Sequence, residues 1–295
     1  MTTQKIGIHS LVFGDTWTEE TAKFACRTAA DIGYDLIEVL IFDPDALDPG
    51  MTKRVVKNAG LDLRLGMALG PDTDISSTDP DIAKAGENTV QQCLEIASDL
   101  GAPAVSGITY AAFNNYSAPP TQAQRDAVAS ALGRLDKRAG ELGVKLGLEP
   151  VNRYESNMIN SLDQAADMIR RIGAANMFIH MDTFHMNIEE SDLPSVISRN
   201  AHLLGYAHVA ENHRGLLGTG TFDWHGYFRA LQDAGYSGDF TVESFSSKVL
   251  SADLVGGVSL WRQGWSNAQL AAKIAFEQIQ SHLAACRASV TPWPL

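Results

Sequence analysis

The sequence predicts a (β/α)8 TIM barrel. Two observations carry the prediction: eight short β-type runs alternate with eight helical patterns along the chain, and most helical runs end on a glycine placed just before the next strand. A third is negative: the segment after the first strand, HSLVFGDT, lacks the GxGxxG turn that a doubly wound, nucleotide-binding sheet would carry there.

The expected strands are 5–10, 36–41, 63–68, 104–108, 144–150, 177–182, 204–210 and 239–244. Each is rich in β-branched or aliphatic residues and too short to be a helix. The amphipathic stretches between them are 19–32, 45–58, 80–100, 121–142, 162–172, 193–199 and 224–234, with a last one at 267–286. Ser77-Thr78-Asp79-Pro80 offers a capping side chain followed by proline at the first helical position. Gly33, Gly60, Gly101, Gly143, Gly173 and Gly235 stand where a left-handed residue closes a helix. No linker or low-complexity segment divides the chain, so a single domain is expected over 1–295. The stretch 245–266 reads as a long irregular loop, the kind that often acts as a lid or binding loop.

Composition narrows the function. Among 295 residues, 45% are hydrophobic and 20% charged, with a formal net charge of −12. An acidic surface repels phosphate backbones, which argues against nucleic acid and anionic membranes as partners. No apolar run reaches the roughly 18 residues a membrane helix needs. The N-terminal residues lack a signal-peptide layout, and Cys26, Cys93 and Cys286 form no CxxC pair, so a cytoplasmic protein with buried, reduced thiols is expected.

Four successive strands end on a metal-ligand type of side chain: Glu149 in LGLEP, Asp182 in FIHMD, His208 in YAHVA and Glu243 in FTVES. The intervals of 33, 26 and 35 residues are each about one βα unit. In a parallel barrel the C-terminal strand ends converge on one rim, where barrel enzymes place their chemistry. Three carboxylates buried together repel one another, and a divalent cation removes that cost. Three carboxylates and one imidazole suit Mn2+, Mg2+ or Co2+. The competing reading is that each acid caps the helix after its strand; four in a row, one of them a histidine, argue against it. Asn152-Arg153-Tyr154-Glu155, His185 and Glu211-Asn212-His213-Arg214 follow the same strand ends and suit a polyhydroxylated ligand. His180 reads as a packed, hydrogen-bonded histidine and His202 and His225 as solvated. Trp261 and Trp265 could cover the site or simply pack.

With these motifs assembled, LGLEPVNRYESNMIN, HMDTFHMNIEESD, AHVAENHRGLLGTG and VESFSS resemble the D-tagatose 3-epimerase family, which includes the D-psicose (allulose) and L-ribulose 3-epimerases. The resemblance implies one divalent ion per subunit, Mn2+ or Co2+ foremost, held by Glu149, Asp182, His208 and Glu243. It implies that Glu149 and Glu243 are also the catalytic acid and base. Glu155, His185 and Arg214 match residues that hold the C1–C3 end of a ketose, and Gly107, Phe13 and Phe113 complete the substrate-contacting set. Phe13 and Phe113 stand where many relatives carry tryptophan, at the C4–C6 end. The implied reaction is C3 epimerisation of a free ketose through a cis-enediolate, by a homodimer or homotetramer. An aldose–ketose or hydroxypyruvate/inosose-type isomerase on the same barrel is the alternative. A metallo-phosphodiesterase resembling endonuclease IV would need more histidine ligands and a basic groove. A non-catalytic sugar-binding protein would not need both glutamates.

Overall fold

The computed structural model describes residues 4–289. Its eight strands are β1 (Ile6–His9), β2 (Leu36–Ile41), β3 (Asp62–Leu69), β4 (Ala104–Ala112), β5 (Lys145–Leu148), β6 (Met177–Asp182), β7 (Leu204–Val209) and β8 (Asp239–Val242). Every neighbouring pair is parallel, and β1 pairs with β8 to close the barrel in sequence order. A closed barrel has no unpaired sheet edge.

The helices are α1 (Glu19–Ile32), α2 (Pro49–Asn58), α3 (Pro80–Leu100), α4 (Gln122–Leu142), α5 (Leu162–Ile172), α6 (Thr183–Glu189), α7 (Leu193–Asn200), α8 (Trp224–Asp233), α9 (Ala252–Gly257) and α10 (Ala268–Ser289). Most bounds agree with the sequence to within two residues, because caps mark them. Asp79 caps α3 by accepting from the Asp81 N–H, with Pro80 in the first turn. The glycines after α1, α3, α4 and α5 have positive φ and close those helices as expected.

Two expectations are corrected and one helix is added. The helix expected over 45–58 is split into a 3₁₀ turn at Pro44–Ala46 and α2, because Pro49 cannot donate within a helix and Asp48 caps afresh from the Met51 N–H. The stretch 245–266 is not wholly irregular: it contains α9, capped by Ser251. Helix α6, which follows β6 with no loop between, lies where the sequence reading assigned no element.

Period-2 alternation sorts each strand into an inner and an outer face. In β2, Ile37, Val39 and Ile41 join the core beneath the helices, while Glu38 and Leu40 line a cavity inside the rim. Buried Cys26 and Cys93 sit in the outer core, and burial pushes each thiol up to about 12, as expected of inert packing residues. Among the described residues no helix is long and apolar enough to cross a membrane.

Candidate active site

A cavity of about 590 Å3 opens at the C-terminal ends of the strands. Glu149, His208 and Glu243 line it, and the Asp182 carboxylate lies in the same cluster. All four are at most 7% exposed. His208 Nδ1 stands 3.5 Å from Glu243 Oε1, 3.8 Å from Asp182 Oδ2 and 3.9 Å from Glu149 Oε1. The four strand-end residues therefore converge on one point.

The orphaned atoms say what that point is for. Asp182 Oδ2, Glu243 Oε2 and His208 Nδ1 are buried without hydrogen-bond partners among the described residues. Buried polar atoms are normally paired. Ligand atoms of Asp182, His208 and Glu243 all lie within 4.8 Å of one another. Burial pushes Glu149 well above the ordinary carboxyl range and Glu243 up to about 7, the penalty expected of clustered carboxylates. A divalent cation offsets this penalty and satisfies the orphans, so the donor set fits one. Its oxygens and single imidazole suit a hard or borderline ion. The helix-cap reading holds for half of Asp182: Oδ1 accepts from the Phe184 N–H at 2.7 Å to start α6, leaving Oδ2 for the cluster.

Glu38 stands behind His208 and was not foreseen. It is fully buried, with Oε2 2.8 Å from His208 Nε2 and 2.6 Å from the Tyr206 hydroxyl. Burial alone would raise its carboxyl, yet His208, His9 and His180 together hold it below the ordinary range. A carboxylate on Nε2–H leaves Nδ1 as the free lone pair, an arrangement that fixes the tautomer of a metal-binding imidazole. Gly66 makes room for it, since a Cβ there would lie 2.6 Å from Glu38 Oε1. The signal was present: one acid inside the apolar run LIEVLI. His9, at the end of β1, also lines the cavity and was missed.

The expected sugar-holding residues gather at the same mouth. Glu155, His185 and Arg214 line the cavity, with His185 Nε2 3.7 Å from Glu155 Oε2 and 2.8 Å from Arg214 Nη2. The Asn152 backbone N–H also approaches His185 Nδ1 at 3.0 Å. Burial pushes His185 down to about 4, so its ring is neutral with a single acceptor nitrogen; only one of these two donors is hydrogen-bonded at a time. Arg214 adopts φ 55, rare for a residue with a side chain, and Phe184 and Phe245 flank its guanidinium at 4.2 and 5.0 Å. Strain of this kind collects at functional sites.

Comparison with known proteins agrees. The family model for xylose isomerase-like TIM barrels matches residues 26–271. A ketose 3-epimerase of Arthrobacter globiformis is 39% identical over 89% of this chain and 91% of its own. The chain belongs to the ketose 3-epimerase family of xylose isomerase-like TIM barrels. An L-ribulose 3-epimerase of Mesorhizobium japonicum is 36% identical over 92% of this chain and 91% of its own. The crystal structure of a D-allulose 3-epimerase from Methylomonas sp. in complex with D-allulose superposes with a TM-score of 0.92 at 34% identity, covering 95% and 97% of the two chains. As a member of this family the protein is an enzyme, an isomerase acting on carbohydrates.

Family membership frames the remaining positions. Gly107 lines the cavity with φ +124, and a Cβ there would lie 2.1 Å from the Met67 carbonyl oxygen, so only glycine fits. Phe113 lines the cavity, but Phe13 is turned away against Phe24, with ring centroids 6.0 Å apart. Leu11, Leu40, Phe42 and Leu254 line the cavity beside Phe113 instead. Trp261 is 76% exposed, whereas Trp265 is buried and donates to Ser244 Oγ at 2.9 Å, a packing role. Glu211 does not face the cavity; it accepts from the Gly218 N–H and from Trp224 Nε1, pinning its own loop. His202 and His225 are exposed as expected, but the hydrogen bonds expected of His180 are not found: neither ring nitrogen has a partner among the described residues.

Proposed function

We propose that this enzyme inverts C3 of a free ketose, a ketohexose or ketopentose of the D-allulose/D-fructose, D-tagatose/D-sorbose or L-ribulose/L-xylulose type. The observation that carries the reading is the pair of buried carboxylates, Glu149 just after β5 and Glu243 just after β8, which line one cavity and belong to the groups that could hold a cation there. Epimerisation removes a proton beside a carbonyl and returns it from the other side, so it needs two groups able to exchange that proton. In this reading Glu149 and Glu243 are those groups and swap roles with direction.

The residues that would hold the ion are Glu149, Asp182, His208 and Glu243, with Mn2+ foremost and Co2+ or Mg2+ as alternatives. When bound, the ion supplies Lewis-acid stabilisation of the charge that develops on the sugar oxygens, a contribution of several kcal/mol. Arg214, fixed between two phenyl rings, adds a permanent positive charge at the same mouth. His185 and Glu155 orient the hydroxyls of the C1–C3 end. Gly107 and Phe113 border the sugar, while Phe13, packed against Phe24, is not part of the cavity lining. The reading takes the whole chain as one barrel domain that works in the cytoplasm as a homodimer or homotetramer.

The test is incubation of the metal-loaded enzyme in D2O with D-fructose, D-allulose, D-tagatose and L-ribulose. The expected result is a C3 epimer carrying deuterium at C3. Deuterium at C1 with an aldose product would instead identify an aldose–ketose isomerase.

A further inference from the structure

His180 is fully buried within the barrel, and neither Nδ1 nor Nε2 has a hydrogen-bond partner among the described residues. Leaving a buried polar group unmade costs about 1–3 kcal/mol. An aliphatic side chain would fill the same space without that cost, so the ring's polarity has a use elsewhere. Its placement is specific. The β6–β7 register breaks between Ile179 and His180, passing over Gly205 so that His180 stands opposite Tyr206. Irregularities of this kind re-aim side chains near active sites. Tyr206 and His208 then fix the ring, with centroids 4.8 and 4.1 Å away.

In that position His180 Nδ1 lies 3.8 Å from Glu149 Oε2. The other carboxylate oxygen, Oε1, faces His185 Nε2 at 3.8 Å and His208 Nδ1 at 3.9 Å. Glu149 is thus divided, with one oxygen toward the donor cluster and the other toward His180. The gap is about 0.8 Å longer than a hydrogen bond, and catalytic hydrogen bonds are often long until substrate closes them.

We propose that His180 is a positioning residue for Glu149: its Nδ1–H donates to Oε2 and sets the rotation of the carboxylate toward C3 of the sugar. This rests on the reading of Glu149 as an acid/base group. One lone pair of Oε2 goes to His180, which leaves the carboxylate's remaining lone pairs for the ion and the substrate proton.

The experiment compares the metal-loaded wild type with H180L, which fills the space without a donor, and H180N, whose amide nitrogen can replace Nδ1. The measurements are kcat and KM for the best ketose, the isotope effect with C3-deuterated substrate, Mn2+ affinity by calorimetry and melting temperature. We expect H180L to lose about 10- to 100-fold in kcat, the effect typical of an orienting partner. Its KM should stay within about twofold, its melting temperature should not fall and its C3 isotope effect should rise, while H180N recovers most of kcat. Undiminished kcat in H180L, with C3 exchange intact in the wild type, overturns the proposal alone. Equal losses in H180L and H180N, accompanied by a lower melting temperature, mark a packing role and also overturn it. A wild type that leaves C3 unexchanged with all four ketoses overturns the epimerase reading itself.

Discussion

Replacing Glu38 by glutamine tests whether His208 is prepared as a ligand from behind. The carboxylate accepts from His208 Nε2–H at 2.8 Å and from the Tyr206 hydroxyl at 2.6 Å, wholly shielded from water. Hydrogen bonds to a charged group contribute about 1.5–3 kcal/mol each. Both bonds reach the same oxygen, Oε2, so the single carbonyl oxygen of glutamine keeps both, and what the substitution removes is the negative charge. The expected loss is therefore the charge assistance of the two bonds, about 1–1.5 kcal/mol each, and with it the anion that makes the imidazole a better ligand. That corresponds to roughly 10- to 100-fold weaker Mn2+ binding. Calorimetric titration of the metal-free protein measures it directly, and circular dichroism checks that the barrel remains folded. Affinity within about twofold of the wild type would refute the argument, because the second carboxylate would then contribute nothing to the ligand.

The remaining predictions address the reaction, the ion, the backbone and the surface. Glu149→Gln and Glu243→Gln should each lower turnover by at least about 10²-fold with the melting temperature preserved; full activity in either would contradict a two-carboxylate mechanism. Chelation should abolish turnover and lower the melting temperature, and Mn2+ at 100 times its Kd should restore about 2.7 kcal/mol of stability, readable by calorimetry with and without the ion. Gly107→Ala forces a Cβ onto the Met67 carbonyl at φ +124 and should cost about 3 kcal/mol, lowering the melting temperature by several degrees. Glu87, 8% exposed, is paired with Arg134 at 2.7 Å and 2.9 Å, and the Arg134 hydrogen bonds hold its carboxyl below the ordinary value despite burial. A carboxyl lowered in the folded state stabilises above its unfolded pKa of about 4.3 and loses that contribution as pH falls toward the folded value. The melting-temperature gap between wild type and Glu87→Gln should therefore be full at pH 7 and shrink below about pH 4.3; a gap independent of pH would remove the ion pair as its cause.

Local chemistry made the barrel and its four rim residues legible in the sequence. Strand and helix periods differ, Asp79-Pro80 and the closing glycines punctuate the chain, and the βα repeat alone dictates that Glu149, Asp182, His208 and Glu243 fall at one end of neighbouring strands. The same local rules should have separated Pro49 from the turn before it, since proline cannot sit inside a helix. Helix α9 was harder to see, because six residues carry too short a period.

What only the tertiary structure decided concerns distance across the barrel. Glu38 and His208 are 170 positions apart and touch because β2 and β7 turn their inner faces to the same interior. No spacing rule links two non-adjacent strands, so the carboxylate behind the ligand could not be read from LIEVLI alone. Phe13 and Phe113 looked equivalent in sequence, but packing against Phe24 removes the first from the cavity and leaves the second in it. His180 shares β6 with Asp182, and its inward face followed from the strand period. That its nitrogens have no hydrogen-bond partner among the described residues, and that one faces Glu149, came only with the closed barrel and its register break against β7. Sequence determines which side chains a strand presents and to which face; closure of the barrel determines which of them meet.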